Sequence, residues 1–482
     1  MNPACLDKSL LKTISQSAKK NNIKLYIVGG ILRDLLLKRP KDNLDIDFCL
    51  KNKSISFGRK LAAELRCGFV VLDKEHGACR LVKKTENGTC TLDFTDFRGK
   101  TLEEDLLHRD FTINTLAVEL EKFLKEGKLD NILIDLYGAR KDLTRRIIRV
   151  TNKETFDEDP LRILRAFAFS SILGFKIDKE VLRLVKSKKN KLSVVSSERI
   201  RDELFKIFDT PASLEPLVLM DKIGILKIII PEIKLMYGVG QGPYHHLDVW
   251  QHTLETLKQL ESLFIELKNK TEIRAYLDEV ISAGRKRSSL MKFGALLHDI
   301  GKPQALRHED GKIKFHGHER IGLRISEVVA RRLKLSNDEL DSLKKMVLWH
   351  LRPGYLADME IISPRAKFRF FRDTAKEALS ILLLSLADQR ATKGRLTSRE
   401  SRLRHEKAVS CLIKDYFRKA KIKKTVRLLN GDELMKGFDL ESSPLVGRIL
   451  TELEELQAIG KIKTKKEALK TAKKLLSGFL RR

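Results

Sequence analysis

Cysteine is scarce in this chain, and long apolar runs are missing. The 482 residues include 6 Cys, and no two of them have the C-x-x-C spacing of a zinc or redox motif. That density excludes a small disulfide scaffold. The longest apolar run, Leu379–Ala387, is too short to cross a bilayer, and the N-terminal residues hold no apolar signal core. We therefore expect a cytoplasmic protein with reduced thiols at Cys5, Cys49, Cys67, Cys79, Cys90 and Cys411.

The chain carries a large excess of positive charge. Its 95 Lys and Arg residues outnumber 65 Asp and Glu, for a formal net charge of +30, while 42% of residues are hydrophobic. That apolar content is typical of a soluble globular protein. The charge favours a polyanionic partner, and nucleic acid fits best because bound phosphates release counterions. A membrane surface or a merely solvated basic surface are the alternatives. No strongly amphipathic basic helix stands out, and no obligate protein partner is evident.

The sequence divides into a mixed front and a helical remainder. KLYIVGG, LDIDFCL, CRLVKK and CTLDFTDF are predicted strands of one sheet. After about Asp157 the apolar spacing is helical, most clearly in PLRILRAFAFSSILGF and in SSERIRDELFKIF, with a predicted N-cap at Ser197. A Gly-rich break, YGVGQGPYHH, marks a boundary at 237–246. We predict an α+β fold with a head at 1–150, a helical neck at 151–235, a helical metal-binding domain at 236–400 and a helical tail at 401–482.

A glycine pair and two aspartates stand close together near the start. Gly29 and Gly30 end a predicted strand and let the backbone approach a triphosphate, because no Cβ is in the way. Arg33 follows at helical spacing and has the planar fork that binds phosphate oxygens. Asp45 and Asp47 lie two apart on a strand, so both carboxylates project from one face and suit Mg²⁺. Each piece alone is common, but their order indicates a two-metal nucleotidyl-transfer site.

Two further segments of the front carry candidate site residues. Asp93, in CTLDFTDF, would supply a third carboxylate that helps to deprotonate a 3′-hydroxyl. Asp96 competes for that role, and both are alternatively plain surface acids. Arg109, in HRDFTINTLA, is a candidate phosphate contact. Asp110 and Asn114 are candidates for fixing sugar or backbone geometry, although a capped helix start explains Asn114 equally well.

The segment EDPLRILRAFAF predicts a helix with one polar face. Asp159, Arg162 and Arg165 are three apart and would share that face. Cytosine and adenine each present an amino donor beside a ring-nitrogen acceptor, whereas uracil and guanine present the reverse. A carboxylate and a guanidinium would therefore select C and A without a template. The alternative is a surface salt bridge, worth roughly a few tenths of a kcal/mol.

These motifs occur together in one known family. GGILRD, LDIDF, HRDFTIN, DLYGARKDL, EDPLRILR and ERIRDELFKI resemble, in order and spacing, the class II tRNA nucleotidyltransferases and bacterial poly(A) polymerases. The resemblance implies a polymerase-β-like head with a small mixed sheet, which adds C and A from CTP and ATP to the tRNA 3′ end. It implies Mg²⁺ at Asp45 and Asp47, nucleotide contacts at Gly30, Arg33, Arg109 and Arg165, and base selection by Asp159 and Arg162.

The chain departs from that family's pattern at several points. His108 replaces the first Arg of an RRD motif, and Ala168 stands where many members carry Arg. The segment DFTDFRGKTLEEDLLHRD is short, whereas enzymes that add the full CCA usually carry a longer flexible loop there. Addition of CC alone is therefore an alternative, and addition of A alone is also open. The basic signature of poly(A) polymerases is missing, which argues against that relative.

Histidine and aspartate recur through the helical middle of the chain. A lone histidine on an apolar helix is more often a core residue, but the ordered set here resembles HD phosphohydrolases of the HDIG type. The resemblance implies a divalent transition metal or Mg²⁺, and hydrolysis of a phosphodiester or phosphomonoester by activated water. A 2′,3′-cyclic phosphate or a damaged RNA end is a candidate substrate. The implied ligands are His252, His298, Asp299 and Asp388, with His318 and His350 for a second ion, whereas His245, His246 and His316 stay open.

The tail resembles the C-terminal region of the same transferases, which implies that it grips tRNA by shape and backbone. Two other functions stay open for the whole chain. One is an HD phosphohydrolase with a nucleotide-sensing head, although alarmone enzymes of that kind place the HD domain first and lack the EDPLR pattern. The other is a non-catalytic RNA-binding protein, which the intact Asp45 and Asp47 pair disfavours.

Overall fold

A computed structural model describes residues 7–39, 44–85, 88–126, 129–243, 245–420 and 427–480. The chain forms two compact units, Met1–Ile207 and Phe208–Arg482. Cys5 lies outside the described residues, and so does Tyr244, which belongs to the Gly-rich break. Within those ranges, no helix combines the length and apolar character needed to cross a bilayer. The described thiols are free, at Cys49, Cys67, Cys79, Cys90 and Cys411.

The first unit combines a six-stranded sheet with helices. Its strands are β1 Tyr26–Val28, β2 Leu44–Leu50, β3 Gly68–Asp73, β4 Ala78–Thr85, β5 Gly88–Asp96 and β6 Ala117–Glu119, with a separate pair β7 Ile147–Ile148 and β8 Lys176–Ile177. Its helices are α1 Lys8–Lys20, α2 Gly30–Leu36, α3 Ser54–Leu65, α4 Leu102–Leu107, α5 Leu120–Glu126, α6 Ala139–Arg145, α7 Thr155–Glu158, α8 Arg162–Leu173, α9 Lys179–Lys188 and α10 Ser197–Phe208. The strand order is β3–β4–β5–β2–β1–β6, in which β2 and β5 are parallel and the other neighbours antiparallel.

Alternation along the strands gives the sheet an inner and an outer face. Phe48 and Phe94 are fully buried on the inner face, where their rings stack 4.8 Å apart and Phe57 of α3 packs edge-on. Each buried ring contributes roughly 1.5–3 kcal/mol. Because successive side chains point to opposite faces, Asp45 and Asp47 project from the outer face. The core thus fixes the direction of both carboxylates.

The strand register aligns the outer-face residues in a row across the sheet. Asp47 on β2 lies opposite Asp93 on β5. Arg80 on β4 continues this row, and Val70 on the edge strand β3 ends it. The row therefore runs from the predicted metal ligand to the open edge of the sheet.

The second unit is helical apart from two hairpins. Its helices are α11 Leu214–Ile223, α12 Leu226–Ile229, α13 Val249–Glu266, α14 Thr271–Asp278, α15 Arg287–Leu297, α16 Lys302–Ala305, α17 His318–Arg332, α18 Asn337–Trp349, α19 Arg352–Ala357, α20 Pro364–Thr374, α21 Ala378–Ala391, α22 Arg399–Ala420, α23 Gly431–Phe438, α24 Pro444–Ala458 and α25 Lys465–Leu480. The hairpins are β9 Val280–Ser282 with β10 Arg285–Lys286, and β11 Arg307–Glu309 with β12 Lys312–Lys314. The helices α23, α24 and α25 share a core of their own that includes Leu434, Ile449 and Ala468.

The predicted fold class is confirmed, with local differences. The four predicted strands form β1, β2, β4 and β5, while β3, β6, the pair β7 and β8, and the two hairpins are additions. The prediction of a helix that carries Asp159 is wrong. α7 ends at Glu158, and Asp159 is extended with φ −147° and ψ 101°, because Pro160 disfavours the helical conformation in the residue before it. α10 begins at Ser197 itself, so that residue is not the predicted cap.

Candidate active site and metal centre

One cavity of the first unit gathers most of the predicted transfer residues. Its volume is about 420 Å³. Asp45 does not line it but lines a neighbouring cavity that shares Arg33, Arg165 and Phe169 with the first. The predicted residues that line the first cavity are Gly29, Gly30, Arg33, Asp47, Asp93, Asp96, Arg109, Asp110, Asn114, Asp159, Arg162 and Arg165.

Gly29 occupies the turn between β1 and α2, and no other residue type fits there easily. Its φ is +76°, a conformation that side chains with a Cβ rarely adopt. A Cβ at this position would lie 3.0 Å from Nη1 of Arg109 and 3.4 Å from Oδ2 of Asp47. The glycine therefore leaves open the space between a guanidinium and a carboxylate. Gly30 begins α2 with its virtual Cβ no closer than 3.5 Å to Arg33.

The three carboxylates of the outer face have different surroundings. Asp93 is held by Arg80, whose Nε and Nη2 donate to its two oxygens over 2.8 and 2.7 Å. Asp45 is exposed, and Asp47 is half-buried at the cavity. Asp96, the competitor of Asp93, accepts the backbone N–H of Ser54 over 2.8 Å and so has a structural partner. Asp45 and Asp47 present hard oxygen ligands on one face, which fits Mg²⁺.

A buried polar network forms the wall behind the glycine turn. Arg33 donates to Asp34 over 2.9 Å and to Asn114 over 2.7 Å, so its fork is engaged within the protein. Asn114 donates in turn to Asp110, and Arg165 lies 2.9 Å from the same carboxylate. Burial raises the pKa of Asp110, but Arg165 and Asn114 together hold it below its ordinary value. Asp110 is therefore ionised near neutral pH, and its hydrogen bond helps to hold Asn114 in place.

Arg109 has an unsatisfied donor at the cavity. Its side chain is half-buried beside Asp105, 3.4 Å away, and its buried Nε has no hydrogen-bond partner among the described residues. Burial lowers the pKa of this guanidinium, but Asp105 and Asp47 raise it above its ordinary value. A half-buried cation with an unsatisfied donor beside Gly29 fits an anionic ligand such as a triphosphate.

Asp159 and Arg162 face the same cavity but do not pair with each other. Arg162 donates to Glu158 over 2.9 Å and to the backbone carbonyl of His108 over 2.8 Å. Asp159 accepts from Arg199 over 2.8 Å. Arg199 lies in the motif ERIRDELFKI, and no local signal in the sequence links it to a residue 40 positions earlier.

The predicted HD residues converge in the second unit. His298 caps the C-terminus of α15, His350 caps the C-terminus of α18, and His318 begins α17. The helices α13 and α21 supply His252 and Asp388. His252 lies 2.9 Å from Asp388. Two groups have ligand atoms within 4.8 Å of one another, and Asp299 belongs to both: His252, His298 and Asp299, and Asp299, His318 and His350.

Three of these histidines share one hydrogen-bonding pattern. The Nδ1 atoms of His298, His318 and His350 lie 2.7–2.8 Å from the backbone carbonyl three residues earlier. That contact fixes Nδ1 as the donor and leaves Nε2 as a lone-pair ligand, the orientation found at metal centres. The Nε2 atoms of His318 and His350 face each other at 3.3 Å, an arrangement that a cation would stabilise.

The electrostatics of the cluster also fit a metal centre. Burial, together with His298 and His318, lowers the pKa of His350 to about 3, so its ring stays neutral. Burial raises the pKa of Asp299, but His298 and Lys302 hold it well below its ordinary value. The Lys302 ammonium lies 2.7 Å from Asp299 as an ion pair, while Nε2 of His298 has no hydrogen-bond partner among the described residues. Imidazole nitrogens around a buried carboxylate suit a divalent cation.

Of the three histidines left open, one lies at this cluster. The ring of His245 stands edge-on to that of His252, with centroids 4.8 Å apart. His246 and His316 are exposed and belong to neither group of ligand atoms.

The two sites together define a class. Outer-face carboxylates beside a glycine turn and a half-buried arginine describe a nucleotidyltransferase head, and the histidine cluster describes an HD-type domain. Family models agree: a poly A polymerase head domain matches residues 25–149, a probable RNA-binding site of polymerase A matches 174–236, and an HD domain matches 249–393.

Curated relatives narrow the class to one family. The CC-adding tRNA nucleotidyltransferase of Thermus thermophilus is 30% identical over 92% of this chain and 92% of its own. The A-adding tRNA nucleotidyltransferase of Deinococcus radiodurans is 29% identical over 92% and 93%. The chain belongs to the tRNA nucleotidyltransferase family. A solved CCA-adding enzyme in complex with ATP shares the fold, with a TM-score of 0.65 at 21% identity over 99% of this chain and 96% of that one.

Proposed function

We propose that this enzyme adds C residues, A residues or both to the 3′ end of tRNA from CTP and ATP, without a template. The single observation that carries the proposal is the cavity lined by Gly29, Asp47, Arg109, Asp159 and Arg162. It brings a place for phosphates, an acid for metal and a base-reading pair within reach of one nucleotide. The relatives include both CC-adding and A-adding enzymes, so family membership leaves the choice of nucleotide open.

Asp45 and Asp47 would hold Mg²⁺ on the outer face. When bound, Mg²⁺ supplies charge stabilisation for the attacking and leaving oxygens of an in-line displacement. Arg109 and the space above Gly29 would receive the triphosphate. Asp93 would accept the proton of the tRNA 3′-hydroxyl once Arg80 releases one of its oxygens.

Base selection is proposed for Asp159 and Arg162. Asp159 would accept from the exocyclic amine of C or A, and Arg162 would donate to the adjacent ring nitrogen. The guanidinium of Arg162 donates to Glu158 and to the backbone carbonyl of His108, and these hydrogen bonds fix its orientation in advance. Gly30, Arg33 and Arg165 would shape the side of the cavity that receives the phosphates. Arg33 and Arg165 would do so through their contacts with Asn114 and Asp110.

The test offers the enzyme three tRNAs, ending at the discriminator base, in C and in CC. Each receives CTP, ATP or both, and product lengths are read on a gel. A CCA-adding enzyme extends all three to CCA when given both nucleotides. A CC-adding enzyme stops after the second C, and an A-adding enzyme extends only the tRNA that ends in CC. No extension of any tRNA would contradict the proposal.

We infer a second activity, phosphoester hydrolysis, for the HD cluster. The observation that favours it is the Nδ1 pattern, in which backbone carbonyls hold three imidazoles with their Nε2 atoms turned toward Asp299. The residues that would hold one or two divalent ions are His252, His298, Asp299, His318, His350 and Asp388. When bound, such ions activate water toward a phosphate ester.

Metal content tests this site apart from activity. The purified protein is dialysed with Mn²⁺, Co²⁺, Ni²⁺ or Mg²⁺ and analysed by plasma mass spectrometry, beside the variants His298→Ala and His316→Ala. His298→Ala is expected to lose the bound ion, whereas exposed His316 serves as the matched control. Hydrolysis of 2′,3′-cyclic nucleotides should fall with the metal. Equal metal content in both variants would overturn the assignment.

A further inference from the structure

The outer face of β3 and β4 leaves a patch of apolar side chains uncovered. Val70 and Val82 are 52% and 36% exposed on this face, and Leu72, at a bulge of β3, is 50% exposed beside them. Arg80 and Lys84 of β4 are exposed beside them. A single exposed aliphatic residue is ordinary, but adjoining ones on one sheet face mark an interaction surface. We name this surface the acceptor platform, defined by Val70, Leu72, Arg80, Val82 and Lys84.

The platform continues the row of catalytic carboxylates. Asp47, Asp93, Arg80 and Val70 stand opposite one another in the strand register. Arg80 connects the carboxylates with the acceptor platform. One edge of its guanidinium donates to Asp93, while the side chain remains 44% exposed. The opposite face of these strands is covered by α3, so the outer face is the open one.

The geometry of nucleotidyl transfer indicates which ligand the acceptor platform binds. In an in-line displacement the 3′-hydroxyl must reach the carboxylates from a side that the nucleotide does not fill. Gly29, Arg109 and Arg162 lie on the proposed nucleotide side, whereas the row leads away from them toward β3. Unpaired RNA presents flat apolar bases joined by phosphates, and a surface that alternates aliphatic and cationic side chains complements both.

We propose that the acceptor platform binds the unpaired 3′-terminal nucleotides of the RNA and presents their last hydroxyl to Asp93. Val70, Leu72 and Val82 would contact base and ribose, and Arg80 and Lys84 would contact phosphates. The proposal rests on the transferase activity proposed above. It adds a surface that governs the affinity for RNA and not the affinity for the nucleotide.

The test places a negative charge on the platform without disturbing the core. Val70→Glu and Leu72→Glu change exposed side chains, and Leu136→Glu is the matched control, since Leu136 is 49% exposed in the same unit and outside the cavity. Each full-length variant is assayed with tRNA and CTP. The platform variants should raise KM for tRNA about ten-fold through repulsion of phosphates, with KM for CTP unchanged and the control like wild type.

Each contrary result has a distinct meaning. If wild type transfers and both platform variants match Leu136→Glu, the platform is overturned and the transferase stands. If wild type extends no RNA, the proposed function itself fails. β3 is an edge strand, so sedimentation is measured as well. A change of sedimentation coefficient in Val70→Glu with an unchanged KM for tRNA would assign the patch to a second copy of the chain and overturn the proposal.

Discussion

At the scale of residues, the transfer cavity depends on the absence of a Cβ atom at Gly29. Gly29 leaves open the space between Nη1 of Arg109 and Oδ2 of Asp47. Its positive φ, with ψ −135°, adds a second constraint, because a residue with a Cβ in so sparsely populated a conformation costs about 1–3 kcal/mol. The backbone conformation of the turn and the space needed for a ligand therefore both require glycine at position 29.

Gly29→Ala should lower kcat/KM for CTP by at least about ten-fold, since the methyl group meets Arg109 and strains the turn. The measurement is steady-state incorporation with a fixed tRNA. Gly30→Ala is the companion variant, because its Cβ would lie at an ordinary 3.5 Å from Arg33. A loss in Gly30→Ala as large as in Gly29→Ala would contradict this explanation.

Asp159→Ala should weaken the discrimination against UTP. Removing the acceptor for the exocyclic amine is expected to lower kcat/KM for CTP by about 10²-fold and for UTP far less. Arg199→Ala removes the partner of Asp159 and keeps the carboxylate, so selectivity should persist there. Unchanged ratios of CTP to UTP incorporation in Asp159→Ala would remove it from base selection.

At the scale of elements, several of the proposed metal ligands lie at the ends of helices. α18 begins with a capping box, in which Ser336 and Glu339 satisfy each other's backbone N–H, and it ends at His350. Arg285 adds hydrogen bonds to the buried Glu339, with Nη2 2.9 Å from its carboxylate. The start of this helix thus holds the position of a ligand at its other end.

Glu339 makes the stability of α18 depend on pH. Burial raises the pKa of this carboxyl, but hydrogen bonds from Arg285 and Ser336 lower it below its ordinary value of 4.5. Because the folded pKa is the lower one, the stabilisation is complete above the unfolded value and is lost as pH falls through the folded value. Glu339→Gln should therefore weaken hydrogen-exchange protection of α18 near pH 7, by about 1–3 kcal/mol, and the difference from wild type should shrink below pH 4.5. An equal difference at both pH values would contradict the ion-pair explanation.

Elements with a clear local pattern could be predicted from the sequence, and others could not. β2 and β5 alternate strictly, so their direction and the outward Asp45 and Asp47 follow from the sequence alone. β3 has apolar residues on both faces, so its sequence lacks the alternation of apolar and polar residues that predicts a strand. The break at Asp159 was predictable from Pro160, because the residue before proline avoids the helical region.

At the scale of the whole molecule, two units carry two different sets of site residues. The transfer residues belong to Met1–Ile207 and the HD residues to Phe208–Arg482. Sequence motifs could assign each residue to its set. They could not reveal partners such as Arg80 with Asp93 or Arg199 with Asp159, because those pairs depend on strand register and chain path.

The two activities should separate by mutation. Asp299→Ala is expected to abolish metal binding and phosphoester hydrolysis while nucleotide incorporation stays within about two-fold of wild type, because Asp299 and the transfer residues belong to separate compact units and share no partner among the described contacts. Metal analysis and incorporation are measured on the same preparation. Loss of incorporation in a folded Asp299→Ala protein would show that the HD centre serves the transfer reaction.

The central claim is that outer-face carboxylates catalyse nucleotide addition to tRNA. Its most direct test measures labelled CTP and ATP incorporation, together with tRNA affinity, in wild type, Asp45→Ala and Asp47→Ala. Each substitution should abolish Mg²⁺-dependent incorporation and leave the Kd for tRNA near that of wild type. Retained incorporation in both variants would contradict the assignment of these two aspartates and the transfer mechanism built on them.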